Sequence, residues 1–352
     1  MGAYSRWVSR NPSASDKQIA NVEFSLKAID ASLSYTFVID SDAALQAWAN
    51  NTSGNDYSRI LINKGTWTLN TTLSEGTVID ISNGRTKSVI GESESKIVIN
   101  NTGTNLDIIT GIEGNTNKPG QYGLSNPGND YFFRNVNIEI NSNSQCCGFT
   151  SCANLINCTS NVKSDTTSGG NGIGYGFSYC INLSNCIGNG FGGGSAGSSG
   201  VGFYYCTNLT NCTGNGSTNI GSSSGIGFSS CINLTDCIGR GDASGANSLT
   251  SNGFSSCTNL TNCTGIGAIS SNVISTSAFG FSGCSRLTNC TGYSNSNASA
   301  GNNSAVGFSN CRTGFGCRGT FNNCLMAQGT GPITGSDWNN TATGGWNLNA
   351  VP

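Results

Sequence analysis

Two residue types in this chain could carry chemistry, and a third is missing. The sequence has 17 cysteines and 18 acidic residues but no histidine. A cysteine can ligate a soft metal, attack as a thiolate, pair into a disulfide, or simply be buried as a small hydrophobe. Cys146, Cys147, Cys152 and Cys158 are the densest group, yet Cys152 and Cys158 belong to regular columns running on down the chain. No metal or cofactor site is therefore expected, and no thiolate can be paired with an imidazole. Carboxylate chemistry needs acids gathered as a pair or around a cation. Between Gly148 and Gly331 the acids are Asp165, Asp236 and Asp242. Upstream lie Asp40, Asp42, Asp56, Glu75, Asp80, Glu92, Glu94, Asp107 and Glu113, among others, without a spacing that marks a site. No catalytic residue is assigned, and Arg240-Gly241-Asp242 is discounted as a tripeptide that a polar loop produces by chance.

The columns belong to a repeated phrase. Gly-Phe-x-x-Cys-x-Asn-Leu-x-Asn-Cys-x-Gly, with small departures, begins at Gly148, Gly176, Gly202, Gly227, Gly253, Gly280 and Gly307, at intervals of 25 to 28 residues. That is a solenoid signature. One cysteine column is Cys152, Cys180, Cys206, Cys231, Cys257, Cys284 and Cys311; the other is Cys158, Cys186, Cys212, Cys237, Cys263, Cys290 and Cys317. Phe, Cys, Leu and Cys hold their places while the letters between them drift, so the constant letters face inward.

Gly, Ser, Thr and Asn dominate, and these are poor helix formers. Short Thr, Ile, Val, Phe and Tyr runs punctuated by Gly and Asn suit strands and turns. Stacking one coil of strands on the next at about 4.8 Å builds a continuous core that no single coil could bury. Inward letters three apart cannot lie on one face of a straight strand, so the chain must bend within the phrase. The Asn before Leu is the expected corner, because Asn tolerates the left-handed conformation. Asn154, Asn182, Asn208, Asn233 and Asn259 should stack into an amide ladder that Arg286 and Thr313 break. Asn157, Asn185, Asn211, Asp236, Asn262 and Asn289 form a second such column. Buried reduced thiols are the simplest reading of the cysteines; coil-to-coil disulfides also fit, since the spacing lies within the roughly 4.4 to 6.8 Å a disulfide spans.

Asn ladders at strand corners, with coils of this length, resemble those of right-handed β-helices of the pectate-lyase-like superfamily. The first coils are similar too, with Lys64-Gly65-Thr66-Trp67 closing a strand ahead of Val89-Ile90-Gly91. The resemblance implies an all-β fold: a single-stranded right-handed parallel β-helix with a short N-terminal helix and a C-terminal cap. Residues 1–33 form a tail and heptad helix, 34–147 the first coils, 148–324 the seven repeats and 325–352 the cap. Strands are expected at Tyr35 to Ile39, Arg59 to Leu69, Thr77 to Ile81, Lys87 to Asn100 and Tyr131 to Ile140, with a short helix at Asp42 to Asn50 and a loop over 101–130. Gly/Ser/Asn-rich segments such as Gly188 to Gly200 and Tyr293 to Ala305 should be variable loops on one side.

Ile19, Val22, Leu26, Ile29 and Leu33 step by 3 and 4, the seam of a coiled coil, and Leu at a with Ile at d favours three or four strands. The other use for so short a helix is to cap its own β-helix. Net charge is −2 with no basic cluster, giving no case for nucleic acid, and no run approaches a membrane span. Residues 1–12 lack the apolar core of a signal peptide, so release by a route other than Sec export is expected. Together these features resemble bacteriophage tail fibre and tail-spike proteins. The resemblance implies a structural, receptor-binding homotrimer on the virion tail, meeting a cell-surface glycan or protein. A bacterial surface or filament-forming β-helix, polymerising end to end or acting as an extracellular adhesin, is the alternative; a carbohydrate-active lyase or hydrolase is the second.

Overall fold

The computed structural model describes residues 37–50, 59–72, 76–80, 88–102, 106–110, 132–165, 172–193, 197–218, 224–244, 249–269, 275–296, 302–319, 321–322, 325–326 and 329–330. They form an all-β parallel solenoid with one short helix. The heptad seam Ile19 to Leu33 and nearly all of the expected cap lie outside the described residues.

Each repeat contributes three strands, as in Cys146–Thr150, Ala153–Ile156 and Thr159–Asp165. Every strand pairs in parallel with its counterpart one coil away, giving sheets of 10, 12 and 11 strands that run the length of the stack. We name them the Phe, Leu and third sheets. The first coils feed the same sheets, for example through Arg59–Ile62, Ser95–Asn101 and Asn137–Ser142. The region expected as a loop holds one further strand, Leu106–Thr110, whose Ile109 is fully buried and pairs with Phe149.

Three corners, not two, bend the phrase. Ser151, Asn154 and Asn157 have φ of 53°, 55° and 53°, and the same three positions are left-handed in the later repeats. A left-handed residue thus stands immediately before each of Cys152, Leu155 and Cys158, which is why inward residues recur every three positions rather than every two. Hydrogen bonding does not lapse at the bends: Ile181 N–H donates to Cys152 O, and Asn185 N–H to Thr210 O, at 2.9 and 3.0 Å.

The inward Phe, Cys, Leu and Cys make a core along one edge of the coil. Phe149, Phe177, Phe203, Phe228, Phe254, Phe281 and Phe308 stack with centroids 4.7 to 5.1 Å apart and planes within 6° of parallel. Beyond this edge the Phe and third sheets face each other, and here the glycine-rich segments prove to be strands such as Ile187–Gly193 and Ser199–Tyr204 rather than loops. Gly188, Gly190 and Gly192 of the first and Gly200 and Gly202 of the second point inward, against backbone of the facing sheet. One interior column reads Ile99, Ile140, Val162, Gly190, Gly216, Gly241 and Gly267, so side-chain packing gives way to backbone-on-backbone packing along the rod. A Cβ at Gly216 would sit 2.2 Å from both N and O of Ile226. Facing sheets ordinarily lie about 10 Å apart, and only glycine permits this approach.

The helix α1, Asp42–Asn50, starts at Ser41, whose Oγ accepts from Ala44 N–H at 3.2 Å. It buries Leu45 and Trp48 and touches Phe37–Ile39, Gly65–Thr71 and Gly76–Asp80, the first strands of the three sheets. The upstream end of the stack is therefore covered by α1.

Candidate functional site

The residues singled out from sequence assemble into ladders. Asn182, Asn208, Asn233 and Asn259 each donate from Nδ2 to Oδ1 of the ladder residue one coil earlier, at 2.9 to 3.0 Å, beginning at Asn154. Past Asn259 the corner is taken by Arg286 and Thr313, still left-handed, and the amide chain stops. In the second column Asn211 donates to Asn185 at 2.7 Å and Asn262 to Asp236 at 3.1 Å. Asp236 is thus a corner acceptor.

Both cysteine columns are buried. Each Sγ lies near a carbonyl two residues earlier, as in Cys180 to Ser178 O and Cys237 to Thr235 O at 3.4 and 3.3 Å. Most also reach a carbonyl of the preceding coil: Cys180 to Phe149 O at 3.4 Å, Cys186 to Leu155 O at 3.4 Å. A thiol is small enough for the bend and supplies a weak donor to its carbonyls, a pairing that neither Ala nor Val offers. Burial pushes the thiols of Cys180, Cys231 and Cys284 well above their ordinary value, so they stay protonated and unreactive at neutral pH.

The acids of the first coils tie coil to coil. Asp42 Oδ1 accepts from Thr68 N–H at 2.7 Å, Glu92 Oε2 from Lys64 N–H at 2.8 Å, Glu94 pairs with Lys64 at 2.7 Å, and Glu139 pairs with Lys96. Lys64-Gly65-Thr66-Trp67 does not close a strand as expected: the chain bends at Lys64 after Arg59–Ile62, and Gly65, at φ 143°, opens the next strand, Gly65–Thr71, in which Trp67 Nε1–H donates to Asn63 O.

The outer face of the third sheet holds a shallow groove of about 440 Å³ that the ladder pattern alone did not reveal. Its floor includes Asn161, Asn189 and Asn215, a third amide ladder bonded at 2.5 and 2.6 Å. Glu139 and Asn141 lie at one end; Lys163, Phe191 and Ser217 form a neighbouring column. Lys163 pairs with Asp165 at 3.4 Å. The signal was present as the alternation Gly188-Asn189-Gly190-Phe191-Gly192, whose inward glycines turn the intervening Asn and Phe outward. An aromatic ring beside a file of amides and two charges is suited to recognition: amides donate and accept side by side, and the ring supplies an apolar contact.

Neither a protein-family model nor a curated protein sequence matches the chain. Among solved structures, the catalytic domain of a GH87 alpha-1,3-glucanase in complex with tetrasaccharides aligns over 86% of this chain and 68% of its own, at 12% identity and a TM-score of 0.18. That likeness is too slight to carry an argument.

Proposed function

We propose that this protein is a structural, receptor-binding rod of the tail-fibre or tail-spike kind, meeting a cell-surface glycan or protein through its lateral faces. The observation that carries the reading is the set of coil-to-coil ladders, the amide ladder from Asn154 to Asn259 and the phenyl stack and buried cysteine columns that continue through the seven repeats, which stiffen the stack while leaving outer columns free to vary. A rod held by its core can present a different outward residue in every coil. The groove over Asn161, Asn189 and Phe191 is such a face. The position of α1 over the first strands supports lateral contact over end-to-end polymerisation, because an extending copy would need those strands bare.

The test is retention on bacterial cells and on their extracted surface polysaccharides, comparing the full chain with a Lys163→Ala, Phe191→Ser double variant. Ser already occupies the position after Phe191 in the column, so the fold should tolerate it. Retention on at least one surface, lost in the variant, supports the reading. Retention on none, or equal retention by both proteins, overturns it.

A further inference from the structure

Four of the ten tyrosines meet at the edge between the Phe and Leu sheets, away from the groove. Tyr204 lies at their centre. Its ring is tilted on Tyr175 at 4.9 Å and perpendicular to those of Tyr179 and Tyr205, at 5.8 and 4.4 Å. Tyr179 and Tyr205 occupy the left-handed corner before Cys180 and Cys206 and stack within 2° of parallel at 5.4 Å.

The same corner is serine in the coils on either side, at Ser151 and Ser230, and Tyr204 is likewise followed in its column by Ser229. The two-ring stack therefore ends abruptly. On the side of Tyr205 away from Tyr179 the equivalent corner of the next coil is Ser230, a hydroxymethyl group in place of a ring, and Tyr205 is half-buried.

No charged side chain belongs to this cluster, and burial pushes Tyr175 up to about 12 and, with the neighbouring tyrosines, raises Tyr204. The fitting ligand is then uncharged, with one apolar face and a rim of hydroxyls. A protein partner would need about 800 Å² on this side, whereas two coils span only about 10 Å of the rod and the adjoining surface is serine.

We propose that the Tyr179–Tyr205 corner is a platform for an uncharged pyranose unit, its C–H face against the ring of Tyr205 and its hydroxyls meeting the phenol groups, Ser229 and Ser230. Apolar stacking supplies the contact, and the hydroxyls fix orientation. The proposal deepens the receptor-binding reading by giving it a ligand class at a second face.

The experiment labels the tyrosine rings of the full chain with ¹³C and follows their NMR signals during titration with methyl glycosides of glucose, galactose, mannose and N-acetylglucosamine. Saturable shifts at Tyr205 and its ring neighbours are expected from at least one glycoside. Tyr205→Phe should keep them, and Tyr205→Ser, which installs the residue found one coil on, should weaken them at least tenfold. Silence with all four sugars, or shifts unchanged in Tyr205→Ser, overturns the platform. Shifts that follow protein concentration without sugar also overturn it, assigning the corner to a second copy. Envelope retention that survives Tyr205→Ser without glycoside shifts sinks this inference and leaves the proposed function standing; glycoside shifts without retention do the reverse.

Discussion

At the scale of the residue, the corner amides do two jobs that substitution can separate. Asn208 adopts φ 60°, donates to Asn182 and accepts from Asn233. Alanine loses both hydrogen bonds and meets the left-handed strain of a Cβ; glycine loses the bonds alone. Exposed bonds of this kind contribute about 0.5 kcal/mol each, the low end of the usual range, and the strain costs about 1 kcal/mol. Asn208→Ala should therefore lower stability by about 2 kcal/mol and Asn208→Gly by about half that, read from urea midpoints. Equal effects would mean that the ladder contributes nothing beyond conformation.

The titrating groups make a second prediction. Tyr175 ionises near 10 when unfolded and near 12 when folded, and burial raises Cys180, Cys231 and Cys284 in the same direction. A raised folded value means the native state keeps protons that the unfolded chain gives up. The stabilisation is complete below the unfolded values, from about pH 9, and is lost as pH rises toward 12. Thermal midpoints should be flat from pH 7 to about 9 and fall above it, with the thiols of Cys180, Cys231 and Cys284 resisting alkylation until the fold opens. A midpoint that rises above pH 9 would contradict the assignment.

Among elements, the slab between the Phe and third sheets is the least forgiving. A Cβ at Gly216 meets backbone of the facing strand rather than a side chain that could turn aside. Gly216→Ala should cost about 3 kcal/mol or more, at the upper end of overpacking effects, whereas Ser217→Ala on the outer face of the same strand should be nearly neutral. A mild effect at Gly216, in denaturant melts of both variants, would show that the sheets are free to part.

This is also where sequence reasoning reached its limit. Phe, Cys, Leu and Cys were legible as inward because they repeat, and Asn154 was legible as a corner because few residues accept its conformation. The corner at Ser151, Tyr179 and Tyr205 carries no characteristic residue, so only the backbone reveals it. The glycine segments pass for loops because periodicity is sought in apolar side chains, and their inward residue has none. The groove and the tyrosine corner share that cause: each is outward, unrepeated, and defined by what stands in the coils above and below.

For the whole molecule, the ladders describe a rod and α1 describes one of its ends. Lys96–Glu139 and the acids of the first coils tie strands near that end, while in the seven repeats the ties are amides, thiols and rings. Salt should therefore matter little to the repeats. How copies meet is the central question, since a receptor-binding fibre of the proposed kind works as an assembly joined side by side. The heptad seam Ile19, Val22, Leu26, Ile29 and Leu33 is the proposed joint. Native mass by light scattering after gel filtration, on the full chain and on a chain beginning at Ser34, tests this directly. The account predicts a species near three times 36.2 kDa that reverts to single copies when the seam is removed; a single copy in both cases, or open-ended polymers unaffected by the truncation, would contradict it.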